Sequence, residues 1–271
     1  MIRTHTRLVL TLVAALCLAP AAFAQDDDAV LKPAEPDFTV VNLPTSLRLP
    51  VFGSSIRITH RFTRPIKCDA CPNSFLGDAL GTDGGAVIGI EYRIGLIPNG
   101  QLVFHRSRLD RTIQFLGEYG VTRQGAGMPL EIAALVSVEG TQNFKDVYSP
   151  SVGVVLSHLV GDAFAIHVDP IFVHNSNILS DAGDDDTFVV GIGGRLRISP
   201  TVYLVAEVAP RVSGYNPGKS LGSFALEKRL GGHVFQLNFS NYFATTLRQI
   251  AQGAQDNDNW YLGFNLSRKF F

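Results

Sequence analysis

Eleven charged residues recur along stretches that are otherwise largely apolar: Arg57, Arg61, Glu91, Arg93, Glu118, Glu131, Arg195, Arg197, Glu207, Glu227 and Arg229. In an extended chain alternate side chains share a face, so these charges fall on one side and the greasy residues on the other. Two chemistries suit mixed charges on one enclosed face. They could form a selectivity ring for an anionic or polar solute. They could instead pair into an internal salt-bridge network that plugs a narrow interior.

Other residues suggest chemistry less strongly. His167 and Asp169 share a face, and His174-Asn175-Ser176-Asn177 follows. A membrane hydrolase could use His with Ser and Asn or Asp, but a lone His–Asp pair is more often structural, and no catalytic residue is assigned. Asp181, Asp184, Asp185 and Asp186 crowd one loop. Carboxylate oxygens hold hard cations, yet a calcium-hand spacing with its glycine turn and closing Glu is absent, so a hydrated acidic loop is the plainer reading. Cys68 and Cys71 suit a local disulfide or a labile dithiol in an exported chain. Pro72 stands where c-type haem attachment needs His. No cofactor is implied.

The elements that would position these groups are strands. Ile56, Ile58, His60 and Phe62 oppose Arg57, Thr59 and Arg61; Ile88, Ile90, Tyr92 and Ile94 oppose Gly89, Glu91 and Arg93. The alternation returns around Leu102, Ile113–Tyr119, Leu130–Val138, Val152–Leu156, Phe164–Phe172, Phe188–Ile198, Val202–Val208, Phe224–Arg229 and Phe235–Ser240. At the end Trp260, Leu262, Phe264, Leu266 and Phe270 face away from Tyr261, Gly263, Asn265, Ser267 and Lys269. A period of two marks a strand with one apolar face. This gives about twelve strands of roughly ten residues, the length a tilted membrane strand needs.

The connections sort by length. Those near Pro98-Asn99-Gly100, Gly161-Asp162, Ser199-Pro200 and Gly231-Gly232 are tight; most alternate ones are long and polar. Short turns alternating with long loops mark an up-and-down barrel with periplasmic turns and external loops. A soluble sandwich has no reason to sort its loops so. Tyr92, Tyr119, Tyr148, Tyr242, Trp260 and Phe270 would supply aromatic girdles at the two interfaces.

The N-terminus sets the compartment. Arg3, His5 and Arg7 precede an apolar run ending Ala22-Phe23-Ala24, the pattern of a cleaved secretory signal. Cleavage removes two of 23 basic residues, leaving 21 against 24 acidic ones and a net charge of −3. No basic excess points to nucleic acid. Residues 25–50 carry Asp26-Asp27-Asp28 and prolines at 33, 36, 44 and 50. That composition reads as a flexible leader, or as a segment tucked into the barrel mouth. Residues 51–271 form the barrel.

Thr59-His60-Arg61-Phe62, then Gly81-Thr82-Asp83-Gly84-Gly85-Ala86 running into Gly89-Ile90-Glu91-Tyr92-Arg93-Ile94-Gly95, and Arg106-Ser107-Arg108-Leu109-Asp110-Arg111-Thr112-Ile113 resemble a family of bacterial barrels labelled domain of unknown function 5777. The resemblance implies a Gram-negative outer-membrane barrel and no established activity. The terminal strand also resembles those read by the barrel-assembly machinery. The expected protein is therefore an all-β, antiparallel up-and-down transmembrane barrel in contact with outer-membrane lipid. It would be a porin-like channel for a small polar or anionic solute; the alternatives are a structural or docking barrel and, last, an integral hydrolase.

Overall fold

The computed structural model describes residues 33–69, 71–125, 127–177, 185–254 and 259–270. Residues 1–32, with the expected signal segment, lie outside this set, as do Asp181, Asp184 and the terminal Phe271. Thirteen strands follow one another: β1 (Ser54–Pro65), β2 (Ala86–Ile97), β3 (Gly100–Ser107), β4 (Ile113–Thr122), β5 (Glu131–Gly140), β6 (Asp146–Val160), β7 (Phe164–Val173), β8 (Thr187–Ser199), β9 (Val202–Ala209), β10 (Arg211–Gly214), β11 (Leu221–Leu230), β12 (His233–Ser240) and β13 (Tyr261–Phe270). One short helix, α1 (Leu247–Gln252), lies between β12 and β13.

Every pairing is antiparallel, and strands adjacent in sequence bond one another, except that β9 passes over β10 to bond β11 and β10 bonds β8 alone. The sheet closes where β1 meets β13, in a register that sets Ile58 against Leu266 and His60 against Phe264. Closure leaves no row of unpaired amides facing lipid, where each would cost several kcal/mol. The ring has twelve members, with β10 as an extra strand. It continues β9 along β8 after a break at Pro210. Proline has no N–H to give the ladder, but its carbonyl accepts from the Val190 N–H at 3.0 Å. The sequence reading ends this strand at Val208 and misses the continuation.

The alternation sorts side chains as expected. Ile58, Ile90, Leu204, Phe224, Phe264 and Phe270 face outward and are exposed. Arg57, Arg61, Glu91, Glu118, Glu207 and Glu227 face inward and are buried. Tyr92, Tyr119, Tyr148 and Trp260 join the exposed outer band; Tyr242 instead packs against the interior cluster. At the tight β2–β3 turn Asn99 takes φ +62, a left-handed conformation that Asn tolerates better than most residues.

Two segments fill the ring. Residues 34–49 enter from the turn end and are buried throughout, which corrects the flexible-leader expectation for this stretch in favour of its alternative, a segment tucked into the barrel. The reason is packing: Phe38, Val40, Val41, Leu43, Leu47 and Leu49 supply enough apolar surface to bury. The segment doubles back on itself, with Val40 N–H donating to the Leu43 carbonyl and Thr45 N–H to that of Phe38. It is a finger whose tip is Val40–Leu43. From the loop end, the β12–β13 connection folds inward rather than outward. Leu247, Ile250 and Ala251 recur at helical spacing and bury against the same interior cluster as the fingertip.

Candidate functional site

The candidate site is the lumen wall and the finger seated in it. Alternation on β1 carries Arg57 and Arg61 inward, and on β2 it carries Glu91 and Arg93. Arg57 lies 3.4 Å from Glu91. Arg93 bridges Glu91 and Glu118, at 3.3 Å each, and His105 Nδ1 is 3.5 Å from Glu91. Across the lumen Arg195 engages Glu227 twice, at 2.9 Å and 3.1 Å, and Gln236 Nε2 donates to the same carboxylate at 2.9 Å. Glu131 meets Arg48 of the finger at 3.6 Å. Nine of the eleven expected lumen charges are thus buried and brought into contact with each other or with the finger. Arg197 and Arg229 lie half-buried near the turns, and Arg197 donates to the Pro200 carbonyl at 3.1 Å.

The finger meets the wall group by group. Glu207 Oε2 accepts the backbone N–H groups of Val41, Asn42 and Leu43 at 2.9, 2.9 and 3.0 Å. Three successive amides around one carboxylate make a small anion-binding concavity. Arg61 bridges the Asn42 side chain at 2.9 Å and Asn265 at 2.7 Å. Carbonyls of Thr39, Val40 and Val41 accept from Arg195 at 2.9 Å, Gln236 at 2.7 Å and Asn265 at 3.1 Å, and Arg57 also donates to Val41. Asp37 Oδ2 accepts from Ser267 at 2.7 Å, and Asp37 Oδ1 lies 3.4 Å from Lys269 Nζ. Nearer the turns, Gln101 and the Leu47–Leu49 backbone exchange two bonds, at 2.9 and 3.1 Å.

The wall makes room for the tip with glycine. A Cβ on Gly191 would stand 2.6 Å from Leu43 Cδ2, and one on Gly193 would stand 2.9 Å from Val40 Cγ2. Either contact is too close to keep unless the tip shifts.

Burial works against ionisation of Asp37, but Lys269, the Ser267 hydroxyl, Arg195 and Arg57 outweigh it and hold its carboxyl below the usual range. Arg48 is pulled below the usual guanidinium range, chiefly by burial, with Glu131 opposing.

At the loop end Glu139 anchors the inward loop, accepting from Thr246 Oγ1 at 3.0 Å and from the Arg248 N–H at 3.2 Å. Gln249 reaches Thr112 at 3.3 Å and Gln252 reaches the Ser176 carbonyl at 3.0 Å. The helix α1 thereby spans the mouth from the β3–β4 loop to the β7–β8 loop.

The remaining candidates separate. His167 is engaged by Ser157 at 2.8 Å and lies 3.6 Å from Glu35 of the finger. Asp169 is fully buried nearby, and its oxygens hydrogen-bond none of the described residues. His174 pairs with Asp186 at 2.6 Å on the exposed rim, while Ser176 bonds Thr187 at 2.7 Å. From His167 to the end of β7 is roughly 20 Å of strand, so no nucleophile–base pair forms between His167 and Ser176. Asp185 and Asp186 are not part of any three-member metal-ligating group among the described residues. Cys68 and Cys71 are joined in a disulfide.

Sequence reasoning missed Asp37, Asn42, Arg48, Glu139, Lys269, Ser267, Asn265 and Gln236 as site residues. The last four fall on the polar side of the expected final two strands, so alternation alone could have found them.

A search of curated proteins finds no match to the chain. Among solved structures, the fold is similar to that of the NanC porin, at TM-score 0.50 and 9% identity, covering 80% of this chain and 99% of that one. A KdgM porin in complex with disordered oligogalacturonate matches at TM-score 0.50 and 7% identity, with 80% and 99% covered. A COG4313 outer membrane channel from Pseudomonas putida F1 gives 0.48 and 12%, with 82% and 97% covered. At these identities the likeness to the first two is one of fold alone: a closed antiparallel β-barrel. The sequence model described as a membrane-bound beta barrel domain, DUF5777, matches residues 38–270, which take in the fingertip and every strand, and the chain belongs to that family.

Proposed function

We propose that the protein is an outer-membrane channel for small polar or anionic solutes, shut from the periplasmic side by its own N-terminal finger. The observation that carries this reading is the chemistry of the seat. Beside its apolar packing, the finger is tied to wall groups by hydrogen bonds and ion pairs, and those groups stay on their strands when it leaves. A polar lumen of that kind supports passage of a hydrated or charged solute. The porin descriptions of the neighbouring structures support the same class. In this reading residues 1–24 are a cleaved export signal, the terminal strand is the assembly signal, and the lumen charges set selectivity. No catalytic role is assigned.

A second reading, a barrel that does not conduct and serves as structure or docking scaffold, is favoured by one observation. The fingertip, α1 and inward-facing Leu135, Val155 and Ile171 share one buried apolar cluster, which seals the interior. Planar-bilayer conductance separates the two. The channel reading expects a low, intermittent conductance from the native chain and a raised one from variants that free the finger. A flat trace from a variant whose finger is demonstrably free removes the channel.

A further inference from the structure

We propose that the wall groups holding Asp37 and Phe38 form a binding subsite for an arylalkyl carboxylate, and that such a solute enters by taking the finger's place. The proposal rests on the channel reading and names its substrate class.

Asp37 and Phe38 set a carboxylate and an aromatic ring side by side in one pocket of the lumen. The carboxylate takes the Ser267 hydroxyl at 2.7 Å and faces the Lys269 ammonium at 3.4 Å. The ring that follows lies under two cations, with the Arg93 guanidinium carbon 5.0 Å and Lys269 Nζ 5.7 Å from its centroid. Both distances fall within the range where a cation is drawn to an aromatic face. Ser267 and Lys269 belong to β13 and Arg93 to β2, so all three remain in the wall when the finger withdraws.

Withdrawal leaves a problem that a solute of this class solves. Lys269 is fully buried beneath the seated finger, and withdrawal leaves its ammonium on the lumen wall without the Asp37 carboxylate that faced it. A small carboxylate restores the pair, and an attached ring restores the cation–π contacts. Arg195 on β8 adds its positive charge to that felt by the Asp37 carboxylate. On β9 the wall takes no part in anion binding. There Glu207 needs donors, which the finger supplies as backbone N–H groups, and an anion brings none. The subsite therefore faces β13 and β2 rather than β9.

Ser46 makes a reporter. It is fully buried in the finger, its hydroxyl bonds no described residue, and Ser46→Cys is nearly isosteric. The full chain carrying this change, in detergent or vesicles, is treated with a maleimide, and labelling of position 46 is followed by peptide mass spectrometry. Added 3-phenylpropionate is expected to accelerate labelling, by roughly tenfold at ten times its Kd, because it binds only the finger-out state. Its amide, which lacks the charge, and hexanoate, which lacks the ring, are expected to do much less. Ser267→Ala and Lys269→Met should weaken the response to phenylpropionate, with heat-modifiable migration confirming a folded barrel.

Equal acceleration by the amide or by hexanoate overturns the assignment. So does no response to phenylpropionate when Glu207→Ala in the same assay raises labelling. Conductance fails independently: a flat bilayer trace beside intact phenylpropionate-driven labelling would end the channel reading and spare the subsite.

Discussion

Asn42 holds Glu207 with two different donors. Its backbone N–H lies 2.9 Å from Oε2, and its side-chain Nδ2 donates to Oε1 at 2.7 Å. One wall carboxylate thus fixes the fingertip in both position and orientation. Hydrogen bonds to a charged group contribute about 1.5–3 kcal/mol each. Glu207→Gln keeps the shape but removes the charge and turns an amide N–H₂ toward the finger's own donors. Hydrogen exchange of residues 38–45 is expected to rise by at least tenfold in this variant, with strand protection unchanged. Unchanged exchange at the tip would show that Glu207 does not hold it.

The glycines under the tip give a steric test that leaves every charge in place. Gly191→Ala and Gly193→Ala put methyl groups where Leu43 and Val40 now sit. Overpacking of this kind costs about 1–3 kcal/mol. The double variant should free the finger and raise bilayer conductance without altering salt dependence of the wall. Native-like closure in the double variant would mean that the tip can shift aside at little cost.

Asp37 makes seating of the finger depend on pH. Its carboxyl is held below the ordinary value of 3.8 in the seated state. A depressed pKa means that the ionised form favours seating. That contribution is fully present above about pH 4, the unseated value, and is lost as pH falls through the lower seated pKa. The groups around Asp37 are Lys269 and Ser267 on β13, Arg195 on β8 with its partner Glu227, and Arg57 on β1. The surrounding charges that lower its pKa act on the ionised carboxyl, so the carboxyl sets the sign. Labelling of Ser46→Cys, with a reagent active in acid, should increase below pH 4. Asp37→Asn should show the increased level already at pH 7, because it leaves Lys269 buried without its anion, a loss of about 3–5 kcal/mol. An acid response that survives Asp37→Asn at full size would assign the switch to another group.

The outer face answers to a different solvent. Leu237 on β12 lies between Leu226 and Phe264, both on the apolar side. Leu237→Arg should cost about 2–4 kcal/mol of barrel stability near the bilayer midplane, read as a lowered urea midpoint in lipid vesicles. An unchanged midpoint would place this band outside the hydrocarbon.

The strands were legible because period-two alternation runs through nearly all of them, and because a closed barrel needs that alternation everywhere. The finger was harder to see. Four prolines and three successive aspartates dominate the composition of residues 25–50 and mask the apolar run from Phe38 to Leu49. The complementary signal was on the wall, where Gly191 and Gly193 leave two successive lumen positions of β8 without a side chain. In the same way Leu247, Ile250 and Ala251 carry a helical period inside a loop expected to be polar and external. The wall charges appeared as a set, but pairing across strands far apart in sequence, such as Arg195 with Glu227, requires the register.

The inward loop sets how far freeing the finger can open the lumen. The finger closes the turn end, whereas α1 spans the loop end through Glu139, Thr112 and Ser176. The two plugs touch the same apolar cluster but anchor to different wall groups. A solute path needs both to yield. Glu207→Gln alone should therefore give a small conductance, limited by α1. Glu139→Gln alone should give little, because the finger stays seated. The double variant should exceed the sum of the two, since resistances in series open together. Additive conductances would mean that the two segments block separate paths, and a double variant no more conductive than Glu207→Gln would mean that α1 leaves a path open beside it.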